Sequence, residues 1–130
     1  MQERYDEGLV ILKKALKIYR RVLGESHEKI SQVIQSIANN LARQGRYEEA
    51  YQKYEQSRDC YYRTLGRNHP DVAFLQFEMY TCNLNLGAHT EATVCLREAH
   101  RIYLMHGILN ETSQIVAAAI HALDTSSEQC

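Results

Sequence analysis

The chain has 130 residues, with 15 lysines and arginines against 16 aspartates and glutamates. This length suits one domain with its own core, and so small a net charge gives no overall field that would draw the protein to nucleic acid or to an anionic membrane. The four cysteines (Cys60, Cys82, Cys95 and Cys130) are too far apart for a CxxC zinc site or a dense disulfide framework, so we expect reduced thiols in a cytoplasmic or nuclear protein.

Several residue types recur at a spacing of 42 residues. The recurring sets are Tyr19, Tyr61 and Tyr103; Gly24 and Gly66; His27 and His69; Gly45 and Gly87; Gly8, Ala50 and Ala92; and Ala15, Ser57 and Ala99. A fixed period of this length is typical of repeat proteins, in which each unit buries its apolar face only by stacking on its neighbours. We therefore expect function to lie on a surface.

Apolar residues at three- and four-residue spacing, with a single proline, predict an all-helical protein. In chain order we expect helices over about 2–23, 27–44, 47–65, 70–86, 90–106 and 111–123, with glycines closing the first five and a frayed tail over 124–130. The first helix should pack through a face formed by Leu9, Leu12, Leu16, Tyr19 and Leu23. In the fourth, Pro70 and Asp71 suit a helix start.

Small residues recur where two antiparallel helices would cross closely. Gly8, Ala50 and Ala92, followed seven residues later by Ala15, Ser57 and Ala99, supply two such positions in each second helix of a repeat. Large residues there would overpack the crossing.

Two segments carry a family resemblance. Gly45-Arg46-Tyr47-Glu48-Glu49-Ala50, with Tyr54 and Ser57 following, resembles the second-helix signature of the tetratricopeptide repeat (TPR). The turn from Leu65 to Ala73, which contains Asn68-His69-Pro70, resembles that of kinesin-light-chain-type TPRs, which share the 42-residue period. The resemblance implies an all-α, TPR-like right-handed superhelix of antiparallel helix hairpins, about six helices in all.

The repeat boundaries divide residues 1–130, taken as a single TPR-like solenoid domain, into four parts. Residues 1–24 form the second helix of a truncated repeat, 25–66 and 67–107 are repeats, and 108–130 form a capping helix and tail. The chain starts at the second helix of a repeat, so we expect either that Met1 is an internal start within a longer protein or that another chain covers the open face of the first helix. We consider a homodimer through the exposed terminal helices.

No sequence motif for catalysis or metal binding is present. The chain has no glycine-rich phosphate loop, nucleophile elbow or HExxH helix, and His100, His106 and His121 lack companions at ligand spacing. We expect His27 and His69 to be turn and helix-start residues, with a proton-sensitive contact as the alternative. The sequence predicts no enzyme activity, no cofactor and no metal.

The resemblance implies a concave groove lined by the first helix of each repeat, which would bind a peptide or partner protein. The groove positions are Gln32, Gln35, Ser36 and Asn39 on the second helix, and Phe74, Phe77, Glu78 and Thr81 on the fourth. Amides can satisfy a peptide backbone while two phenylalanines hold an apolar anchor. Alternatively, the sixth helix or another segment covers the phenylalanines.

The resemblance also indicates which ligands do not fit. TPR domains that hold the C-terminal carboxylate of heat-shock chaperones do so with a clamp of groove residues, several of them cationic. Asn39 matches one position of this clamp, but the residues at the other positions are not cationic: Gln35, Glu78, Val116 and Ile120. We predict no such clamp. Lys13, Lys14, Lys17, Arg20 and Arg21 form a basic stripe on the first helix, interpreted as a solvated face, with an acidic partner or nucleic acid as the alternative.

We therefore interpret the chain as a non-catalytic interaction or scaffold module with a protein or peptide partner and no nucleic-acid or membrane partner. Two alternatives remain. Asn68-His69-Pro70, Gly87, Ala92 and His106-Gly107 also resemble the helical C-terminal domain of SET and MYND domain lysine methyltransferases. A module that only self-assembles is the other.

Overall fold

The computed structural model describes residues 2–128 and the side chains of residues 2–126, so Cys130 lies outside the described residues. These residues form six helices: α1 (Gln2–Leu23), α2 (Glu28–Arg43), α3 (Tyr47–Thr64), α4 (Pro70–Asn85), α5 (His89–His106) and α6 (Glu111–Glu128). The predicted all-α fold is confirmed. The helices fall into two compact units, Met1–Arg67 with α1 to α3 and Asn68–Cys130 with α4 to α6.

The helix boundaries follow from a few residues in the turns. Gly24, Gly45, Gly66, Gly87 and Gly107 all have a positive φ, which side-chain-bearing residues rarely adopt, and each follows the end of a helix. At two starts a histidine caps the helix: Nδ1 of His27 accepts from the amide of Lys29 over 3.1 Å, and Nδ1 of His69 accepts from that of Asp71 over 3.0 Å. The interpretation of both histidines as helix-start residues is confirmed.

The first unit has α2 at its centre, in contact with both α1 and α3. Its core contains Leu9, Leu16, Ile30, Ile34, Ile37, Ala38, Leu41, Ala50, Tyr54, Cys60 and Tyr61. The predicted packing face of α1 is only partly buried, since Leu12 and Tyr19 are half-buried. Leu23 was expected in this face but is 38% exposed, because nothing in the unit covers the last turn of α1.

In the second unit α5 contacts both α4 and α6. Its core contains Val72, Ala73, Leu75, Met79, Cys82, Leu96, Ala99, Ile102 and Val116. The turn before α4 is held against α5, because Arg101 donates to Oδ1 of Asn68 over 2.8 Å and His106 Nε2 lies 2.6 Å from the Asn68 carbonyl oxygen.

The small residues lie where the helices approach closely. Ala50, Ser57, Ala92 and Ala99 are all buried, and the hydroxyl of Ser57 donates to the carbonyl of Ser31 on α2 over 2.8 Å. A Cβ at Gly8 would lie 3.0 Å from Nδ2 of Asn40. These five predicted crossing positions are therefore contacts between helices, and a larger side chain would force the helices apart. Ala15, the sixth, is only half-buried.

Two features of α6 differ from the sequence expectation. The helix continues to Glu128, although residues from 124 onward were expected to fray; no glycine or proline interrupts that stretch, and Asp124 pairs with Arg97 of α5 over 3.2 Å. In addition, Gly107 directly follows α5, whereas Leu65 separates α3 from Gly66. The helical register of α6 is therefore 41 residues from that of α4 instead of 42.

Candidate functional site

The outer face of α2 carries the four groove residues predicted for the first unit. Gln32 and Ser36 are exposed, whereas Gln35 and Asn39 are half-buried. The hydroxyl of Ser36 donates back to the carbonyl of Gln32 over 3.1 Å, so it is partly satisfied within its own helix. The structure brings all four together on one face of one helix.

Two tyrosines of α3 hold the half-buried amides, and one of them, Tyr61, recurs with the 42-residue period. The Tyr61 hydroxyl donates to Oε1 of Gln35 over 2.8 Å, and the Tyr54 hydroxyl donates to Oδ1 of Asn39 over 2.5 Å. Because each bond uses an amide oxygen, it also fixes the direction of the side chain. The sequence analysis placed Gln35 and Asn39 in the groove but did not predict their bonds to the two tyrosines.

A cleft of about 290 Å³ lies between α1 and α2, and we call it the α2 cleft. It is lined by Tyr5, Leu12, Ser36, Asn39, Asn40 and Arg43. Nδ2 of Asn40 donates to the carbonyl of Tyr5 over 3.1 Å and so ties the two helices together at the cleft. Ser36 and Asn39 are thus part of a concave site, whereas Gln32 and Gln35 are not among its lining residues.

Arg43 is a site residue that the sequence analysis missed. Its guanidinium is exposed at the cleft and makes no ion pair or side-chain hydrogen bond with any other residue that the structure describes. Arg43 follows Asn39 by four residues, so the helical spacing alone could have placed it on the same face. With the donor atoms of the Asn39 amide, it makes the cleft suitable for an acceptor group such as a carbonyl or carboxylate.

The outer face of α4 is more apolar than that of α2. Phe74 is 43% exposed, so α6 does not cover it, and Phe77 is half-buried with its ring centroid 6.1 Å from that of Tyr80. Thr81 is exposed and donates to the carbonyl of Glu78 over 2.8 Å. Leu84, seven residues after Phe77 and 41% exposed, extends the apolar patch and was missed by the sequence analysis.

Glu78 lies close enough to α5 to affect a buried tyrosine. Burial raises the pKa of Tyr103, and the negative charge of Glu78 raises it further. The half-buried Glu78 therefore contributes a negative charge where the outer face of α4 borders α5.

The groove positions of α6 are not those inferred from the 42-residue period. Val116 and Ile120 lie 42 residues after Phe74 and Glu78, and for that reason they were compared with the clamp residues. They are core residues, because α6 follows α4 with a register of 41 residues. The residues 41 after those of α4 are Ile115, Ala118, Ala119 and Ala122, and among them Ile115 is 48% exposed.

The described thiols and metal-binding residue types show no sign of a reactive centre. Cys60, Cys82 and Cys95 are free and buried. Burial raises the pKa of the Cys82 thiol to about 11, and the neighbouring Cys95 adds to the effect, which disfavours the nucleophilic thiolate. Among the described side chains, residues 2–126, His, Cys, Asp and Glu form no group of three or more that could hold a metal ion.

The tetratricopeptide repeat family model matches residues 1–61 and residues 32–105. Together these overlapping matches cover most of the chain. The chain belongs to the tetratricopeptide repeat family. TPRs are generally protein–protein interaction modules, and the family is typically non-catalytic.

Two further findings bear on this TPR chain. No curated protein matches its sequence. Among the described residues, no helix combines the length and apolar character needed to cross a lipid bilayer.

Proposed function

We propose that this TPR chain is a non-catalytic interaction module that binds an extended or helical segment of a partner protein. Each unit has its own binding surface: one segment contacts the α2 cleft of the first unit, and a separate segment contacts the outer face of α4 in the second unit. The observation that carries the proposal is the α2 cleft, where an oriented Asn39 amide and the unpaired Arg43 guanidinium lie beside Leu12.

The α2 cleft suits a polar group of the partner. A backbone carbonyl or an acidic side chain would accept from Nδ2 of Asn39 and from Arg43, while Leu12 and Tyr5 contact the apolar part of the same residue. The tyrosine bond to Asn39 leaves little side-chain entropy to be lost on binding, which favours affinity.

The α4 face suits an apolar or aromatic anchor. Phe74 and Leu84 expose apolar surface, and Thr81 lies between them with its hydroxyl bonded to its own helix. An exposed aromatic residue in such a patch is a common hot spot of binding energy.

Within the family, the 42-residue period and the paired caps His27 and His69 support a closer relation to kinesin-light-chain-type repeats. The buried free thiols agree with a reducing compartment, so we place the protein in the cytoplasm, with the nucleus as the alternative.

The experiment is selection of binding peptides from a displayed random library, followed by affinity measurements on variants. Arg43→Gln and Asn39→Ala should each lower the affinity of peptides that bind the first unit by about tenfold. Phe74→Ala should lower the affinity of peptides that bind the second unit by about the same factor. The control is Gln52→Ala, an exposed residue of α3. Selected peptides whose affinity is unchanged by all three site variants would contradict the proposal.

A further inference from the structure

One side of α1 is an apolar surface that the first unit leaves uncovered. Ile11, Ala15, Ile18 and Val22 are spaced by four, three and four residues and therefore lie along one side of the helix. Ile11 is 66%, Ile18 57% and Val22 71% exposed. We call these four residues the α1 stripe, and it is distinct from the α2 cleft and the α4 face.

The repeat shows what such a surface normally contacts. The residues 42 and 84 positions after Ile18 are Cys60 and Ile102, which are 1% and 0% exposed. Cys95, 84 positions after Ile11, is 6% exposed. In α3 and α5 these positions face the preceding antiparallel helix, and the Cys60 thiol lies 3.7 Å from the carbonyl oxygen of His27 at the start of α2. Ile18, and Ile11 by its α5 equivalent, therefore have the register of a surface that accepts an antiparallel helix, whereas Val22 corresponds to the half-buried Thr64 and the exposed His106.

Positive charge borders the stripe. Lys14 is three residues after Ile11 and four before Ile18, so it lies along one edge of the stripe. Arg21, seven residues after Lys14, lies on the same edge, and Lys17 is next to both on the helix surface. None of these three cations has an ion pair with a residue that the structure describes. Arg4 extends the positive charge toward the helix start, and Glu3 and Glu7 are acidic residues near the N-terminal end of this border.

These charges argue against a second copy of α1 as the occupant. In an antiparallel pair with Ala15 facing Ile18 of the other copy, Ile11 would face Val22, and the sizes would match. Lys14 would then face Arg21 on both borders, and such like-charge contacts are unfavourable.

The α6 helix of a second copy is also a poor occupant. The side of α6 that corresponds to the α5-facing side of α4 carries Gln114, Ala117, His121 and Asp124. Covering the α1 stripe with this side would bury polar groups, among them the carboxylate that pairs with Arg97.

We propose that the α1 stripe is a second docking surface, which binds an amphipathic helix of another protein, antiparallel to α1 and with acidic residues flanking its apolar side. The apolar side packs on Ile11, Ile18 and Val22, while the acidic flank pairs with Lys14 and Arg21. The stripe shares no residue with the lining of the α2 cleft or with the outer face of α4, so its residues can be changed separately.

The test uses two synthetic helical peptides of about 18 residues, a length at which isolated helices become stable. Both carry the same leucine and isoleucine side, and they differ only in having glutamates or lysines along its flank. Fluorescence anisotropy should show the glutamate peptide binding at least about tenfold more tightly, with an affinity that falls as salt rises.

Three variants define the result. Ile18→Glu should abolish binding of the glutamate peptide, whereas Leu104→Glu, at a residue 67% exposed on α5, should leave it unchanged. The double variant Lys14→Glu and Arg21→Glu should reverse the preference between the two peptides. It changes exposed residues only, so it keeps the proposal falsifiable even if Ile18→Glu disturbs the fold.

Equal affinity for the two peptides, no binding of either one, or binding that survives Ile18→Glu in a folded protein would overturn the proposal. So would light scattering that shows a dimer which Ile18→Glu dissociates, because the occupant would then be a second copy.

Discussion

Tyr54 of α3 donates a hydrogen bond of 2.5 Å to Oδ1 of Asn39 on α2, and the same Asn39 lines the α2 cleft. A buried residue of one helix thus sets the direction of a cleft-lining side chain on another. The bond also directs the amide nitrogen of Asn39 away from α3, so that it remains available to a ligand.

Removing this hydroxyl group should affect both stability and binding. Tyr54→Phe should lower the free energy of unfolding by about 1 kcal/mol. It should also lower the affinity of peptides that bind the first unit, because the Asn39 side chain is no longer held in one direction. Urea unfolding and fluorescence anisotropy measure the two effects.

Tyr61→Phe is the matched control, because it removes an equivalent bond to Gln35, which does not line the cleft. We expect a similar loss of stability with little change in binding. If both variants weakened binding equally, the effect would be a general loosening of the hairpin and not the orientation of Asn39.

The fully buried alanines should not tolerate larger side chains. Ala92 is 1% exposed at the contact between helices, so Ala92→Leu should lower the free energy of unfolding by about 1–3 kcal/mol. Thermal unfolding followed by circular dichroism measures the loss. Ala117→Leu, at an exposed position of α6, is the control, and equal melting temperatures for the two variants would show that the crossing is looser than described here.

The histidine cap of α4 should be replaceable by another capping residue but not by alanine. His69→Ala removes the acceptor for the amide of Asp71 and should lower stability by about 1 kcal/mol, whereas His69→Asn should keep most of it. Chemical unfolding of the three proteins gives the comparison. The prediction fails if the asparagine variant is as unstable as the alanine variant.

The free energy of unfolding should fall in alkaline solution because of two titrating groups in the second unit, Cys82 and Tyr103. Burial raises the pKa of Cys82 from 9.0 to about 11 and also raises the pKa of Tyr103. Between those two thiol pKa values the folded protein holds a proton that the unfolded chain has lost, so stability is fully present below about pH 9 and declines as the pH rises through about 11.

Urea unfolding at a series of pH values from about 8 to about 11 would show this decline. The slope should be shallower for Cys82→Ala and for Tyr103→Phe, since each removes one of the two titrating groups. His89→Ala, at an exposed residue of α5, serves as the control. An unchanged slope in both test variants would contradict the assignment.

Much of the fold could be predicted because the residues that end and begin the helices recur at a fixed spacing. Gly45, Gly66 and Gly87 end helices, while His27 and His69 begin them, and these residues are recognisable from their spacing alone. The register of α6 could not be predicted, since the shift comes from a single residue, Leu65, that has no counterpart before Gly107.

The candidate site was predicted only in outline. Helical spacing places Gln35 and Asn39 on the outer side of α2, but whether each amide meets a tyrosine depends on how far α3 is shifted along α2. Arg43 and Leu84 lie at helical spacing from predicted residues, and were missed because the analysis followed the family positions.

The polar side of α6 also bears on how the protein behaves at high concentration. Two unlike surfaces of one molecule can join copies head to tail, and such contacts propagate into filaments when they do not close into rings. Growth of that kind would require the α1 stripe of one copy to cover His121 and Asp124 of the next, stripping water from an ionised carboxylate. Concentrated solutions should accordingly remain free of linear polymers, even though one helix leaves so much apolar surface in contact with solvent.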